Sequence, residues 1–258
     1  MGKQIKKYIT RKTLIYKTGV EYGDYTMNHV LGCSHGCTYP CYAFLQKKRF
    51  GEVKSYEEWC EPALVKNALA LLDAELPKYA KKIQMLHLCF TTDPFMYEYP
   101  EIQNVSIEAI RKANAAGVNC SVLTKGVLPL ELSHLSHDNI YGITLVTLSE
   151  EFQKQFEPGA APIKIRIAAL KALHDAGCKT WVSIEPYPTP NIIDQDISLI
   201  LQAVSFVDKI IFGRMNYSTK ITSYKERKAF FNNCAKKVID FCDENHIAYH
   251  IKEGTITE

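Results

Sequence analysis

Short apolar runs alternate with amphipathic stretches along most of this chain. The apolar runs predict strands at 26–31, 83–90, 118–124, 140–148, 179–184, 209–212 and 247–251. The stretches between them predict helices at 55–76, 102–116, 129–135, 162–176, 194–204 and 225–245. Strands that alternate with helices favour parallel βα units. Six or seven such units are too few for a closed eight-stranded barrel, so the pattern predicts an α/β fold, an open and partial parallel barrel.

Capping residues support several of these helices. Ser55 and Glu58 have the spacing of a capping box at the start of the helix predicted at 55–76. Gly117 and Gly177 follow the ends of two helices, and Pro162 lies in the first turn of the second. These signals mark where the predicted helices begin or end.

Composition predicts one large domain in a reducing compartment. A chain of 258 residues with 47% hydrophobic content can bury a full core, which we assign to residues 26–258, including a C-terminal helix and strand. Residues 1–25 are polar, tyrosine-rich and basic, and predict an N-terminal lead-in. Nine cysteines, with no export signal or membrane-spanning run, favour a cytoplasmic protein without a membrane partner.

The net charge of +3 is too small to imply a nucleic-acid partner by itself. The basic residues are nevertheless concentrated before the first acid, Glu21, and a basic arm can follow phosphates. Nucleic acid therefore stays open as a partner, alongside a solvated tail.

Three cysteines stand in the run from Gly32 to Ala43, at the end of the first predicted strand. Cys33, Cys37 and Cys41 are spaced Cys-x3-Cys-x3-Cys, so one short loop can present three thiolates to one metal centre. A [4Fe–4S] cluster takes four ligands, and a loop with three would leave one iron open. The alternative is zinc held by these cysteines and a histidine, His35 or His29, but no second Cys-x2-Cys knuckle follows.

The Gly-Cys-Ser-His-Gly-Cys-x-Tyr core, followed by Cys-Tyr-Ala, resembles the radical S-adenosylmethionine (radical SAM) enzymes, in particular the branch that contains spore photoproduct lyase. That resemblance implies a (β/α)6 partial barrel, a [4Fe–4S] cluster and S-adenosylmethionine (SAM) on its open iron. It also implies a one-electron reductant such as flavodoxin or ferredoxin. The usual spacing is Cys-x3-Cys-x2-Cys, and here Pro40 adds one residue before Cys41.

The resemblance also implies roles for polar residues just past the predicted strands, where ligands bind in parallel α/β folds. Thr91, Thr92 and Asp93 suit the SAM ammonium, and Lys125 suits its carboxylate. Tyr39 is the first choice for the adenine and Tyr42 the second, and Ser149 or Thr147 suits the ribose. Cys89 is a candidate hydrogen-atom donor, although its offset from Asp93 could turn the thiol into the barrel wall.

Residues after the later strands point to the substrate instead. They are Glu185, Arg214, Asn216, His250, Lys252 and Glu253. We expect a radical SAM enzyme of lyase or transferase type acting on an unassigned substrate: a nucleic acid, a peptide or a small molecule. The competing hypothesis is a zinc-stabilised nucleic-acid-binding protein without catalytic activity.

Overall fold

The predicted alternation of strands and helices builds one long sheet. In a computed structural model, which describes residues 2–19 and 23–257, that sheet has eight strands. From one edge of the sheet to the other they are β2 (Ile15–Lys17), β3 (Tyr25–Met27), β6 (Leu86–Leu88), β7 (Cys120–Thr124), β8 (Ile140–Thr144), β9 (Lys179–Tyr187), β10 (Lys209–Arg214) and β11 (Ala248–Ile251). All neighbours from β3 to β11 run parallel, and only β2 pairs antiparallel with β3.

The helices lie between these strands in the order that parallel pairing requires. They are α1 (Tyr42–Arg49), α2 (Tyr56–Cys60), α3 (Ala68–Tyr79), α4 (Pro100–Ala115), α5 (Glu150–Phe156), α6 (Ile163–Asp175), α7 (Ile197–Ala203), α8 (Thr219–Ser223) and α9 (Arg227–Asn245). Short 3-10 turns occur at Ala80–Lys82 and Leu130–His134. The predicted α/β class, an open parallel sheet with alternating helices, is confirmed.

The core lies between the sheet and its helices. Strand residues such as Leu86, Val122 and Ile210 are fully buried, as are Ile110 of α4 and Leu170 of α6. Strands buried on both faces read as continuous apolar runs, which is why the sequence located β6 to β10. Within the described residues, no helix is both long and apolar enough to cross a bilayer.

A second, three-stranded sheet was not predicted. It consists of β1 (Lys7–Ile9), β5 (Ala63–Val65) and β4 (Val30–Leu31), in the order β1-β5-β4. The strand predicted at 26–31 is therefore two strands in different sheets. The helix predicted at 55–76 is wrong in its middle, because Pro62 cannot continue a helix and β5 follows it.

The N-terminal lead-in predicted at 1–25 pairs with the rest of the chain at two places: β1 joins β5, and β2 joins β3. Residues 1 and 20–22 of this segment, and residue 258 of the predicted core, lie outside the described residues. Of the capping box, one half is observed. Ser55 accepts a hydrogen bond from the Glu58 N–H at 3.1 Å, whereas the Glu58 carboxylate accepts from the Lys54 N–H.

Candidate functional site

A cavity of about 410 Å³ opens at the carboxyl ends of the parallel strands. The cysteine loop, the first turn of α1 and Trp59 of α2 form one part of its wall. The ends of β7 to β10 and the segments that follow β6, β7, β10 and β11 form the rest. Residues from widely separated parts of the chain meet there: Cys33, Cys37, Cys41, Tyr42, Thr92, Lys125, Glu185, Arg214 and Lys252. This volume falls in the range typical of small-ligand sites.

The cysteine loop turns sharply as it leaves β4. Gly32 has φ +86°, and a Cβ there would stand 2.6 Å from the Trp59 carbonyl oxygen. The close approach lets the Cys33 N–H donate to that same carbonyl at 2.8 Å. Residues 36–41 follow without regular structure, so the additional Pro40 is absorbed before α1 begins at Tyr42.

The three loop cysteines are free thiols, each partly exposed, and all three line the cavity. Burial raises the pKa of Cys37 to about 11 and that of Cys33 well above its usual value. Such thiols stay protonated until a metal or a cation stabilises the thiolate. Three soft sulfur donors on one loop fit an iron–sulfur cluster held by three thiolates.

The histidines proposed as zinc ligands are already bonded to protein. The Nε2 atom of His35 accepts from the Tyr97 N–H at 3.1 Å, and its Nδ1 lies 3.4 Å from Asp93. His29 has Ser106 at 2.8 Å and Cys89 at 3.3 Å from its two ring nitrogens. Across residues 2–19 and 23–257, no three Cys, His, Asp or Glu side chains are grouped to hold one metal ion. In a four-iron cluster each thiolate binds its own iron, so a cluster does not require that grouping.

Lys125 lies at the end of β7, as predicted, and lines the cavity. Its Nζ is 3.7 Å from the Cys37 Sγ and 3.5 Å from the Glu157 carboxylate, and it donates to the Tyr39 hydroxyl. Burial alone would lower the pKa of this ammonium. The Cys37 thiol, once it ionises, and the Glu157 carboxylate act against burial and raise the pKa, so Lys125 is a cation in the cavity wall.

Behind Lys125 lies a buried pair that the sequence analysis missed. Glu157 and Arg166 are each 1% exposed, with Arg166 Nη2 3.0 Å from Glu157 Oε2. Glu157 also accepts from the Tyr39 hydroxyl at 2.7 Å, and Arg166 donates to the Thr144 carbonyl at 2.8 Å. One signal was available, because Arg166 stands at helical spacing with the buried Ile163, Leu170 and Leu173 of α6.

The Asp93 carboxylate is hydrogen-bonded to neighbouring groups of the protein. Its carboxylate accepts from the Thr124 hydroxyl at 2.6 Å, from the Phe95 N–H at 2.9 Å and from the Lys125 N–H at 2.9 Å. These bonds occupy its oxygens and fix the turn that carries Lys125. Thr92 lines the cavity while its hydroxyl donates to the Gly32 carbonyl. Thr91 is buried, and its N–H donates to the Asn28 side chain.

The two tyrosines proposed for the adenine have different surroundings. Tyr39 is 6% exposed, its ring lies 4.9 Å from the Lys125 ammonium, and its hydroxyl is bonded to Glu157. Tyr42 is 38% exposed on the cavity wall, with its ring centre 5.4 Å from that of Phe90. Both tyrosines line the cavity, and Tyr42, with Phe90, presents the more accessible aromatic surface.

Two predicted site residues do not reach the cavity. Cys89 is 2% exposed, has φ +57°, and packs beside Val30, Leu64 and Met96, with its thiol against His29. The thiol is turned into the wall, so this placement gives no support to a role as hydrogen-atom donor.

Ser149 caps α5 by accepting from the Phe152 N–H at 3.2 Å, and with Thr147 it lines a separate cavity of about 560 Å³. The ribose assignment of Ser149 is likewise not supported by this placement.

The later strands contribute a second polar group to the cavity. Lys252 pairs with Glu185 at 3.4 Å, and Arg214 Nε donates to Asn216 Oδ1 at 3.1 Å. His250 and Glu253, also candidates from the sequence, are not among the residues that line this cavity.

Comparison with known proteins assigns the family. Residues 27–204 match the model of the radical SAM superfamily, and this span contains the cysteine loop and Lys125. The chain therefore belongs to the radical SAM superfamily.

Relatives share part of their length with this chain. It is 28% identical over 196 residues to an uncharacterised protein of Acidianus two-tailed virus, which covers 72% of this chain and 64% of that protein. It is also 28% identical over 190 residues to an uncharacterised protein of Methanocaldococcus jannaschii, which covers 72% and 68%. The chain thus spans about two thirds of the length of each of these relatives.

Solved structures share the fold. A spore photoproduct lyase variant superposes with a TM-score of 0.66 at 14% identity, over 94% of this chain and 80% of that one. Streptococcus suis SuiB bound to S-adenosylmethionine gives 0.51 at 14% identity, over 70% and 42%. The identities are low, so these likenesses concern the fold alone.

Proposed function

We propose that this protein is a radical SAM enzyme in which Cys33, Cys37 and Cys41 hold a [4Fe–4S] cluster. Held by these three residues, the cluster would leave one iron open for SAM and would supply the one-electron chemistry that splits SAM into methionine and a 5′-deoxyadenosyl radical able to abstract hydrogen from substrate. The observation that carries the proposal is the meeting of three free thiols and a partly buried cation, Lys125, in one cavity at the strand ends.

The chain's own residues would bind and orient SAM. An ammonium has three donors. Two of those on Lys125 are directed at Tyr39 and Cys37, so the third can be donated to the carboxylate of SAM while Lys125 stays near Glu157. Asp93 would act indirectly, since it fixes the backbone of Lys125. Tyr42 and Phe90 offer an apolar face for the adenine, and Thr92 lies beside them in the cavity wall.

The later strand ends would bind the substrate. Glu185, Arg214, Asn216 and Lys252 line the same cavity as the cysteines, so a molecule held there would lie within the enclosure where the radical forms. The spore photoproduct lyase structures include one with a dinucleoside spore photoproduct, and the SuiB structures include one with a precursor peptide. A nucleic acid, a peptide or a small molecule, and lyase or transferase chemistry, remain alternatives for this chain.

The reduction step would need a protein partner. We propose a one-electron carrier such as flavodoxin or ferredoxin, and a cytoplasmic location, which the nine free thiols support.

Anaerobic reconstitution with iron and sulfide tests the proposal. We expect a brown protein with about four irons per chain, in line with a four-iron cluster, and release of 5′-deoxyadenosine and methionine when SAM and a reductant are added. Replacing any one of the three cysteines with Ala should abolish both cluster assembly and SAM cleavage.

Cys60→Ala is the matched control, because Cys60 is a partly exposed free thiol in α2, outside the residues that line the cavity. A colourless protein that retains zinc, with no iron taken up, would contradict the proposal and favour the zinc-stabilised nucleic-acid-binding protein.

A further inference from the structure

Three charged residues from neighbouring strands meet at the far end of the sheet from β3. Glu185 lies near the end of β9, Arg214 ends β10, and Lys252 follows β11 directly. All three line the cavity that also contains the cysteines. Which of these three side chains pair with each other determines which side-chain charge remains available to a ligand.

Glu185 and Lys252 neutralise each other. Their charged atoms are 3.4 Å apart, and their stems meet over Gly213. A Cβ at Gly213 would stand 2.9 Å from both the Glu185 Cγ and the Lys252 Cγ, so a larger residue there would have to displace one of these two side chains.

Arg214 has no carboxylate partner in the part of the chain that the structure describes. Its Nε donates to Asn216 at 3.1 Å, and this bond fixes the orientation of the guanidinium plane. A guanidinium carries five N–H donors, so the Nη groups can form the paired hydrogen bonds that carboxylates and phosphates accept. The residue is half-buried, where an ionic hydrogen bond is less screened than on the surface.

We propose that Arg214 binds an anionic oxygen group of the substrate, a carboxylate or a phosphate, and that Asn216 positions it. This deepens the proposed function and rests on it for the identity of the ligand as substrate. The carboxylate of SAM is assigned to Lys125 instead, because Lys125 lies 3.7 Å from Cys37 whereas no contact links Arg214 to a loop cysteine among the described residues.

Binding of two simple anions to the protein tests this assignment. Inorganic phosphate and succinate are titrated into the reconstituted, SAM-saturated protein, with uncharged succinamide as the probe control. We expect at least one anion to bind, and Arg214→Gln to weaken that binding by about ten- to a hundredfold, the range for a charge-assisted hydrogen bond. Arg214→Lys should recover part of the affinity, since lysine lacks the planar fork.

Lys209→Gln is the matched control, because Lys209 is at the opposite end of the same strand, β10. This variant should bind each anion as the wild type does. Preference for phosphate would indicate a phosphate ester as the substrate, and preference for succinate a carboxylate.

Three results would overturn the assignment. The first is that the wild type and Arg214→Gln bind both anions alike. The second is that succinamide binds as tightly as succinate, and the third is that Arg214→Gln weakens SAM binding as much as anion binding. The same titrations are run on a variant with all three loop cysteines replaced by Ala. Anion binding that persists there and depends on Arg214 supports the site even if the cluster assignment fails.

Discussion

Lys125 lies beside a thiol, a carboxylate and a phenol, and its role depends on which of these groups its ammonium binds. The ammonium is close to Cys37 and Glu157 and contacts Tyr39, yet it still lines the cavity. A buried anion without a cation is costly, and the SAM carboxylate would be such an anion. Lys125 is therefore placed to contact the SAM carboxylate and the Cys37 sulfur at the same time.

Lys125→Met keeps the bulk of the side chain and removes its charge. We expect SAM to bind about ten- to a hundredfold more weakly, the effect of losing one charge-assisted hydrogen bond, while the iron content stays at the wild-type value. Equilibrium dialysis of SAM against the reconstituted protein measures this. Lys179→Met, which breaks the exposed pair with Asp138, is the control, and unchanged SAM affinity in Lys125→Met would remove Lys125 from the SAM site.

Tyr39 and Tyr42 differ by three positions, and we expect opposite consequences from changing them. Tyr42→Ala removes an accessible ring and should weaken SAM binding about two- to tenfold, the scale of one aromatic contact, whereas Tyr42→Phe should not. Tyr39→Phe removes the hydroxyl that donates to buried Glu157 and should lower the free energy of unfolding by about 1.5–3 kcal/mol. SAM titration and urea unfolding separate the two, and a larger effect of Tyr39→Phe on SAM affinity would restore Tyr39 as the adenine contact.

At the scale of elements, the turn after β7 is fixed by close backbone packing. A Cβ at Gly126 would stand 1.7 Å from the Phe95 carbonyl oxygen, so this glycine brings the Lys125 turn against the segment that follows β6. Gly117 differs: its φ is +75°, but nothing lies within 4 Å of a Cβ there. Gly126 is required because a side chain there would collide with Phe95, whereas Gly117 is required only by its left-handed backbone conformation.

Gly126→Ala should therefore cost more than Gly117→Ala. We expect about 3 kcal/mol or more for Gly126→Ala, at the upper end of overpacking effects, and about 1 kcal/mol for Gly117→Ala, the cost of a left-handed conformation. Urea unfolding of the two apoproteins measures the difference. Equal losses would mean that the turn moves freely away from Phe95.

The elements that the sequence predicted are those whose pattern lies within their own residues. The strands β6 to β10 lie in continuous apolar runs, and α4, α6 and α9 are long and end at clear stop signals or before a strand. The strands β1, β4 and β5 have two or three residues each, and only pairing between distant segments creates them. The same limit applies to the site: the cysteine spacing and Lys125 are local, whereas the direction of the Cys89 thiol depends on a left-handed backbone at that residue.

Across the whole molecule, a chain of charged groups ties the cysteine loop to the body of the sheet. Arg166 of α6 bonds to the carbonyl of Thr144 and to Glu157, which bonds in turn to Tyr39 of the loop. Lys125, at the end of β7, contacts the same carboxylate. The loop that would hold the cluster is thus anchored at two strand ends through one buried carboxylate.

This anchor should make stability depend on pH. Lys125 and Arg166 hold the pKa of Glu157 below its usual value, even though burial alone would raise it. The unfolded chain then binds a proton at a higher pH than the folded chain does. The carboxylate therefore contributes its full stabilisation above the usual pKa of a glutamate, and that contribution is lost as the pH falls through the folded value.

Glu157→Gln removes the charge and leaves buried Arg166 and partly buried Lys125 without their shared carboxylate. We expect the variant to lose about 3–5 kcal/mol of unfolding free energy at pH 7, the cost of breaking one side of a buried ion pair. The gap between wild type and variant should narrow as the pH is lowered below the usual glutamate pKa, because the wild type then loses the same charge. Urea unfolding of both apoproteins at a series of pH values gives the two curves, and Glu151→Gln, at an exposed position of α5, is the control. A gap that stays constant down to the lowest pH at which the wild type folds would mean that the Glu157 charge does not anchor the loop.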